Sequence, residues 1–109
     1  MLEKCLGKIT SAEYGMHKDY PYLFGAQLSF KIGDRKVACG GRYTVNMHPD
    51  CKYENKTQKQ YVITRAVEEL YQILQDAKVS YVSELVGIPV EIEIDDKLFK
   101  SFRVLTEVL

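Results

Sequence analysis

Residues 71–109, YQILQDAKVSYVSELVGIPVEIEIDDKLFKSFRVLTEVL, decide how this chain folds. A helical pattern runs out near Lys78. Ser80 to Leu85 reads as a short helical turn, and Gly87 and Pro89 end it. Val90, Ile92 and Ile94 then alternate with Glu91, Glu93 and Asp95, the period of a half-buried strand. Asp95-Asp96 turns the chain, and Leu98 to Val108 reads as a last strand with apolar residues on both faces. That pattern predicts a central strand, or an edge covered by a second subunit. Arg103 is the one arginine inside that run.

Working backwards, Ile63, Ala66, Val67, Leu70, Ile73, Leu74 and Ala77 make one apolar stripe at helical spacing. Thr57 followed by Gln60 offers a capping box at its start. Upstream, Phe24, Ala26, Leu28, Phe30 and Ile32 alternate with polar or small residues, the clearest strand in the chain. Gly33-Asp34 turns it into a return strand from about Arg35 to Val45, in which Gly40-Gly41 predicts a bulge or a close backbone approach. Cys5 to Tyr14 reads as a first strand, followed by a loop over Gly15–Pro21. Three strands, a long helix with a short turn, then two strands predict a single α+β domain: an antiparallel sheet of about five strands with the helix on one face.

Composition narrows the function. The chain has 109 residues, 46% hydrophobic and 28% charged, with 15 basic and 15 acidic side chains. A neutral chain is not built to neutralise many phosphates, so duplex nucleic acid is not an expected partner. A small anion held by one or two arginines fits the charge balance. The domain is small enough that self-association would add usefully to its core. Cys5, Cys39 and Cys51 are an odd count with no secretory leader before them, which points to a reducing, cytoplasmic setting. No stretch approaches the length of a membrane span. Asn55-Lys56-Thr57 matches a glycosylation sequon, which carries no weight without secretion.

Several side chains are candidates for chemistry. A guanidinium cannot shed its charge, so Arg103 needs a partner: Glu107, Glu91 or Glu93 at the sheet rim, or a phosphate, which arginine binds bidentately. Arg42 follows the glycine pair, where a backbone can approach an anion, although a solvated strand residue is the plainer reading. Eight tyrosines accompany no tryptophan. Tyr71 and Tyr81 flank the helix exit and Tyr43 sits beside Arg42, so any of them could stack on a base or simply pack. His48-Pro49-Asp50-Cys51, with Cys39 and His17, contains zinc-type donors but no C-x-x-C knuckle, and small apolar packing is the expectation for the cysteines. No elbow or triad spacing marks a catalytic nucleophile. The acidic row of Glu91, Glu93, Asp95 and Asp96 reads as a solvated strand face and turn.

Three motifs carry a resemblance. They are Gly7-Lys8-Ile9-Thr10-Ser11-Ala12-Glu13-Tyr14-Gly15; Asp76-Ala77-Lys78-Val79 with Leu85-Val86-Gly87-Ile88-Pro89-Val90-Glu91; and the ending Ser101-Phe102-Arg103-Val104-Leu105-Thr106-Glu107-Val108-Leu109. Together they resemble the Thoeris anti-defence 1 family of phages, best over Leu70 to Leu109. The stretch Gly33 to Lys59 is not assigned by it. The resemblance implies a sponge and not an enzyme: a homodimer or higher oligomer that holds a cyclic ADP-ribose isomer near subunit interfaces, without a cofactor and without cleaving the ligand. Some members also bind cyclic oligonucleotides at separate sites. Arg103 matches the terminal-strand arginine by motif. Tyr71 and Ser80 would be its companions, with Arg42, Tyr43 and Tyr81 as further contacts. A tryptophan expected after the second strand is missing; Cys39-Gly40-Gly41-Arg42-Tyr43 stands in its place. A sponge for cyclic di- or trinucleotides is therefore an alternative, as is a structural protein of a mobile element with no ligand.

Overall fold

The computed structural model describes residues 2–52 and 55–109, and of residues 37–42 the backbone only. Five strands form one antiparallel sheet: β1 (Leu2–Met16), β2 (Leu23–Ile32), β3 (Arg35–Asn46), β4 (Pro89–Asp95) and β5 (Leu98–Val104). Among the described residues one α-helix, α1 (Lys56–Ala77), lies between β3 and β4 in the chain, and a 3-10 turn, Val82–Leu85, follows it. The spatial order is β3-β2-β1-β4-β5. The predicted α+β domain is the one observed.

The first strand organises the sheet. Its second half pairs with β2, from Lys8 opposite Lys31 to Met16 opposite Phe24. Its first half pairs with β4, from Leu2 opposite Asp95 to Lys8 opposite Pro89. It is thus longer at both ends than the predicted Cys5–Tyr14, because each half has its own partner.

One face of the sheet carries the core. Ile9, Phe30, Leu85, Val90 and Ile92 are all but fully buried, and Ala26, Leu28, Tyr43, Ala77 and Val104 join the same cluster. Phe30 lies at the centre, its ring stacked on Phe99 at 5.3 Å between centroids and tilted against Phe102 at 4.8 Å. Helix α1 covers this face with Leu70, Ile73, Leu74 and Ala77, of which only Ala77 is fully buried. Of the rest of its predicted stripe, Ile63 and Ala66 are half-buried and Val67 stays 55% exposed. Phe24 lies beyond the covered area and is itself exposed.

Register irregularities explain where strict alternation fails. On β5 the partners jump from Ser101 to Phe99 opposite Glu93 and Ile94, so Lys100 is an extra residue. That single insertion turns Phe99 to the core side with Phe102 and leaves Ser101 and Arg103 on the outer side. Simple alternation along the strand would group Phe99 with Arg103. It also accounts for apolar residues on both apparent faces of the last strand, which is an edge strand and not a central one. That strand ends at Val104, and a 3-10 turn, Thr106–Val108, takes the place of its predicted end. On β1, Thr10 is a similar extra residue, so Ile9 and Ala12 both face inward. On β3, residues 40–42 stand opposite Gln27 alone, between the pairs Ala26–Tyr43 and Leu28–Cys39. That is the bulge which Gly40-Gly41 predicts.

The helix starts two residues earlier than its expected cap. Asn55, extended at φ −164°, accepts a hydrogen bond from the Gln58 backbone N–H at 2.8 Å. The Thr57–Gln60 box therefore falls inside the first turn. Asn55 wins because its short amide reaches the orphan N–H three residues on, the geometry of an N-cap. At the other end Lys78 turns left-handed, at φ 59°, and its N–H bonds the Gln75 carbonyl. Among the described residues no helix is long and apolar enough to cross a membrane.

Candidate functional site

Arg103 sits on the outer face of β5, its side chain 52% exposed. Its Nε donates to Glu91 Oε1 at 3.1 Å, and its Nη1 donates to both Glu107 oxygens at 3.1 and 3.2 Å. Glu91 lies directly opposite on β4, and Glu107 comes from the terminal 3-10 turn. Two of the three carboxylates expected at the rim are thus engaged. The third, Glu93, accepts instead from Ser101 Oγ at 3.0 Å. The hydrogen bond to Glu107, then that to Glu91, raises the guanidinium pKa further. The pair is open to water, where such bridges are weak and exchangeable. Among the described residues nothing is bonded to Arg103 Nη2, so donors remain for an incoming anion.

The other predicted contacts are scattered. Ser80 and Tyr81 follow the helix exit, and Lys78 Nζ reaches the Leu109 carbonyl at 3.5 Å, so this exit lies against the C-terminal turn that carries Glu107. The Ser80 and Tyr81 backbone N–H groups are held by Glu84 Oε1 at 3.3 and 2.9 Å. Tyr81 is 71% exposed. Tyr71 is exposed on α1, and its hydroxyl accepts from Gln75 Nε2 at 3.2 Å. Tyr43 is buried, its ring edge to face with Phe102. The Arg42 and Cys39 side chains lie outside the described residues. Arg103 therefore faces away from Tyr43, with the sheet between them, and the chain by itself does not bring the described candidates together.

A second cluster escaped the sequence reading. Tyr14, Phe24, Tyr43 and Met47 line a mostly apolar cleft of about 180 Å³ beside the middle of α1, where Ile63, Val67 and Leu70 also line it. Tyr14 and Phe24 meet edge to face at 5.3 Å. These rings come from three strands, so no local motif announces them. Gly25 makes the cleft possible: at φ +149° it brings β2 so near β3 that a Cβ would clash with the Tyr43 carbonyl oxygen. The Cβ-free residue is obligatory there.

The zinc-type donors have local uses. His17 Nδ1 accepts from the Asp19 and Tyr20 backbone N–H groups, and His48 Nδ1 from that of Asp50. Among the described residues no group of three or more His, Cys, Asp or Glu side chains gathers.

Compared with protein-family models, curated proteins and solved structures, the chain matches none of them.

Proposed function

We propose that the protein sequesters, without cleaving it, a cyclic ADP-ribose isomer made as an alarm by bacterial TIR proteins, and so keeps a Thoeris effector silent in the host cytoplasm. The observation that carries this reading is the state of Arg103. The arginine matching the terminal signature is held outward by Glu91 and Glu107, with Nη2 donors to spare. A pyrophosphate displaces one weak carboxylate contact and takes the fork bidentately.

The adenine needs an aromatic surface, and the cleft of Tyr14, Phe24 and Tyr43 offers one on the opposite side of the sheet. Phosphate and base can be bound together only if two copies complete the site. A surface suited to that contact exists: Tyr14, Met16, Phe24, Met47 and Val67 are 41–69% exposed and adjoin the cleft. Contiguous exposed apolar surface of this kind marks interaction sites. The sponge is accordingly a homodimer or larger assembly, with Ser80, Tyr71 and Tyr81 as rim contacts.

Depletion of cyclic ADP-ribose isomers from solution by purified protein, followed by denaturation and recovery of the ligand, tests the reading. Intact recovery supports a sponge and a changed product means an enzyme. Absence of depletion, with cyclic di- and trinucleotides also left in solution, leaves the assembly role.

A further inference from the structure

The register places three lysines in one row across the sheet. Lys8 on β1 lies directly opposite Lys31 on β2, and Lys31 directly opposite Lys36 on β3. All three are exposed, and none makes an ion pair among the described residues. Like charges placed directly opposite destabilise a sheet. Lysine on an edge strand is ordinary protection against unwanted pairing, which accounts for Lys36 alone. Lys8 and Lys31 are on inner strands. The contrast with Lys4 is instructive: four residues earlier on β1 it lies opposite Glu93, whereas Lys8 lies opposite Pro89. The acidic residues of β4 stop where the lysine row begins.

Beside the row is a groove of about 750 Å³, lined by Lys8 and Lys31 and by apolar Leu6, Val86, Pro89 and Leu105. Leu6 and Val86 are 69% and 53% exposed. Gly33 and Gly87 also line it, both at positive φ, and a Cβ on either would meet nothing within 4 Å. Part of the groove wall is thus bare backbone. Its size is that of a small-molecule site.

We infer that this groove binds a soluble organic polyphosphate, with the phosphates along Lys8, Lys31 and Lys36 and an apolar or aromatic body against Leu6, Val86 and Leu105. Neighbouring strands are about 4.8 Å apart, so the row spans about 10 Å, which suits linked phosphates better than one carboxylate. A bound anion would also relieve the repulsion that the register imposes. The site uses no residue of the Arg103 cluster and does not depend on the sponge reading.

Calorimetric titration with ADP, adenosine and tripolyphosphate tests it. ADP is expected to bind, tripolyphosphate more weakly, and adenosine not measurably. Lys31→Gln should weaken ADP roughly tenfold or more, yet raise the melting temperature of the free protein by removing a like charge. Arg103→Ala should leave ADP binding intact, which separates failure here from failure of the sponge proposal. The inference is overturned if wild type does not bind ADP, if the folded Lys8→Gln/Lys31→Gln variant binds it equally well, or if Arg103→Ala abolishes it. It is also overturned if the protein ignores ADP but sediments with phosphatidylserine vesicles.

Discussion

Tyr43 and Phe102 meet edge to face, 5.9 Å between ring centroids, although they belong to β3 and β5, the two edges of the sheet. The sheet curls until its margins touch across the core face, and α1 lies against both margins. This joint is worth measuring. Tyr43→Leu, Phe102→Leu and the double variant, unfolded in urea, should give a coupling energy of about 0.5–1.5 kcal/mol, the usual size for an aromatic pair. Strict additivity would mean that the edges are held by the helix alone.

Phe30 anchors the same curl. It is fully buried and touches both Phe99 and Phe102. Phe30→Ala should cost about 3–5 kcal/mol. Against a total stability of about 5–15 kcal/mol for a domain, the midpoint of chemical unfolding should fall sharply. A loss below about 1 kcal/mol would show that the rings around it close the gap.

Gly7 offers a test of close packing. A Cβ there would stand 2.5 Å from the Lys31 carbonyl oxygen and 3.0 Å from Ile92 Cδ1. The backbone carbonyl cannot swing aside as a side chain could. Gly7→Ala is therefore expected to destabilise by about 1–3 kcal/mol, the ordinary range for overpacking.

Legibility in the sequence followed residue type. The Phe24–Ile32 alternation, the apolar stripe of α1 and the glycine bulge of β3 could all be read, because period and glycine are local signals. The extra residues Thr10 and Lys100 could not. Either side chain is ordinary in a strand, so nothing marks the point where parity switches, and simple alternation puts Phe99 on the wrong face. Thr57 was the expected cap and Asn55 is the actual one, because which side chain reaches a free backbone N–H is settled only in three dimensions. The rim pairing of Arg103 was readable because Glu91 and Glu107 are near it in sequence or register. The aromatic cleft was not, since Tyr14, Phe24 and Tyr43 meet only once three strands are aligned.

The sponge proposal makes a prediction with opposite signs at one contact. Arg103→Ala should abolish uptake of the cyclic nucleotide while circular dichroism stays unchanged. Glu107→Gln should strengthen uptake, because it removes a competing charge from the same guanidinium. Equilibrium dialysis of the three proteins decides it. If Glu107→Gln weakens uptake as Arg103→Ala does, the triad is structural and the phosphate lies elsewhere.

The interface prediction is independent. Phe24→Glu puts a charge into the exposed aromatic surface without touching the buried core. Light scattering should then report a monomer, and uptake should fall with assembly. A variant that stays oligomeric would move the contact to another face.

The divided pairing of β1 bears on how the chain is made. The hairpin of β1 and β2 can close as soon as residue 32 has left the ribosome, because its ladder is local. Residues 2–7 have no such neighbour; their ladder partner, β4, is synthesised only after α1. Throughout that interval Leu2 to Gly7 is an unzipped template, open to the wrong strand of another nascent chain. Codon pace over the helix, and chaperone access to Leu2 to Gly7, are therefore expected to affect the yield of folded protein.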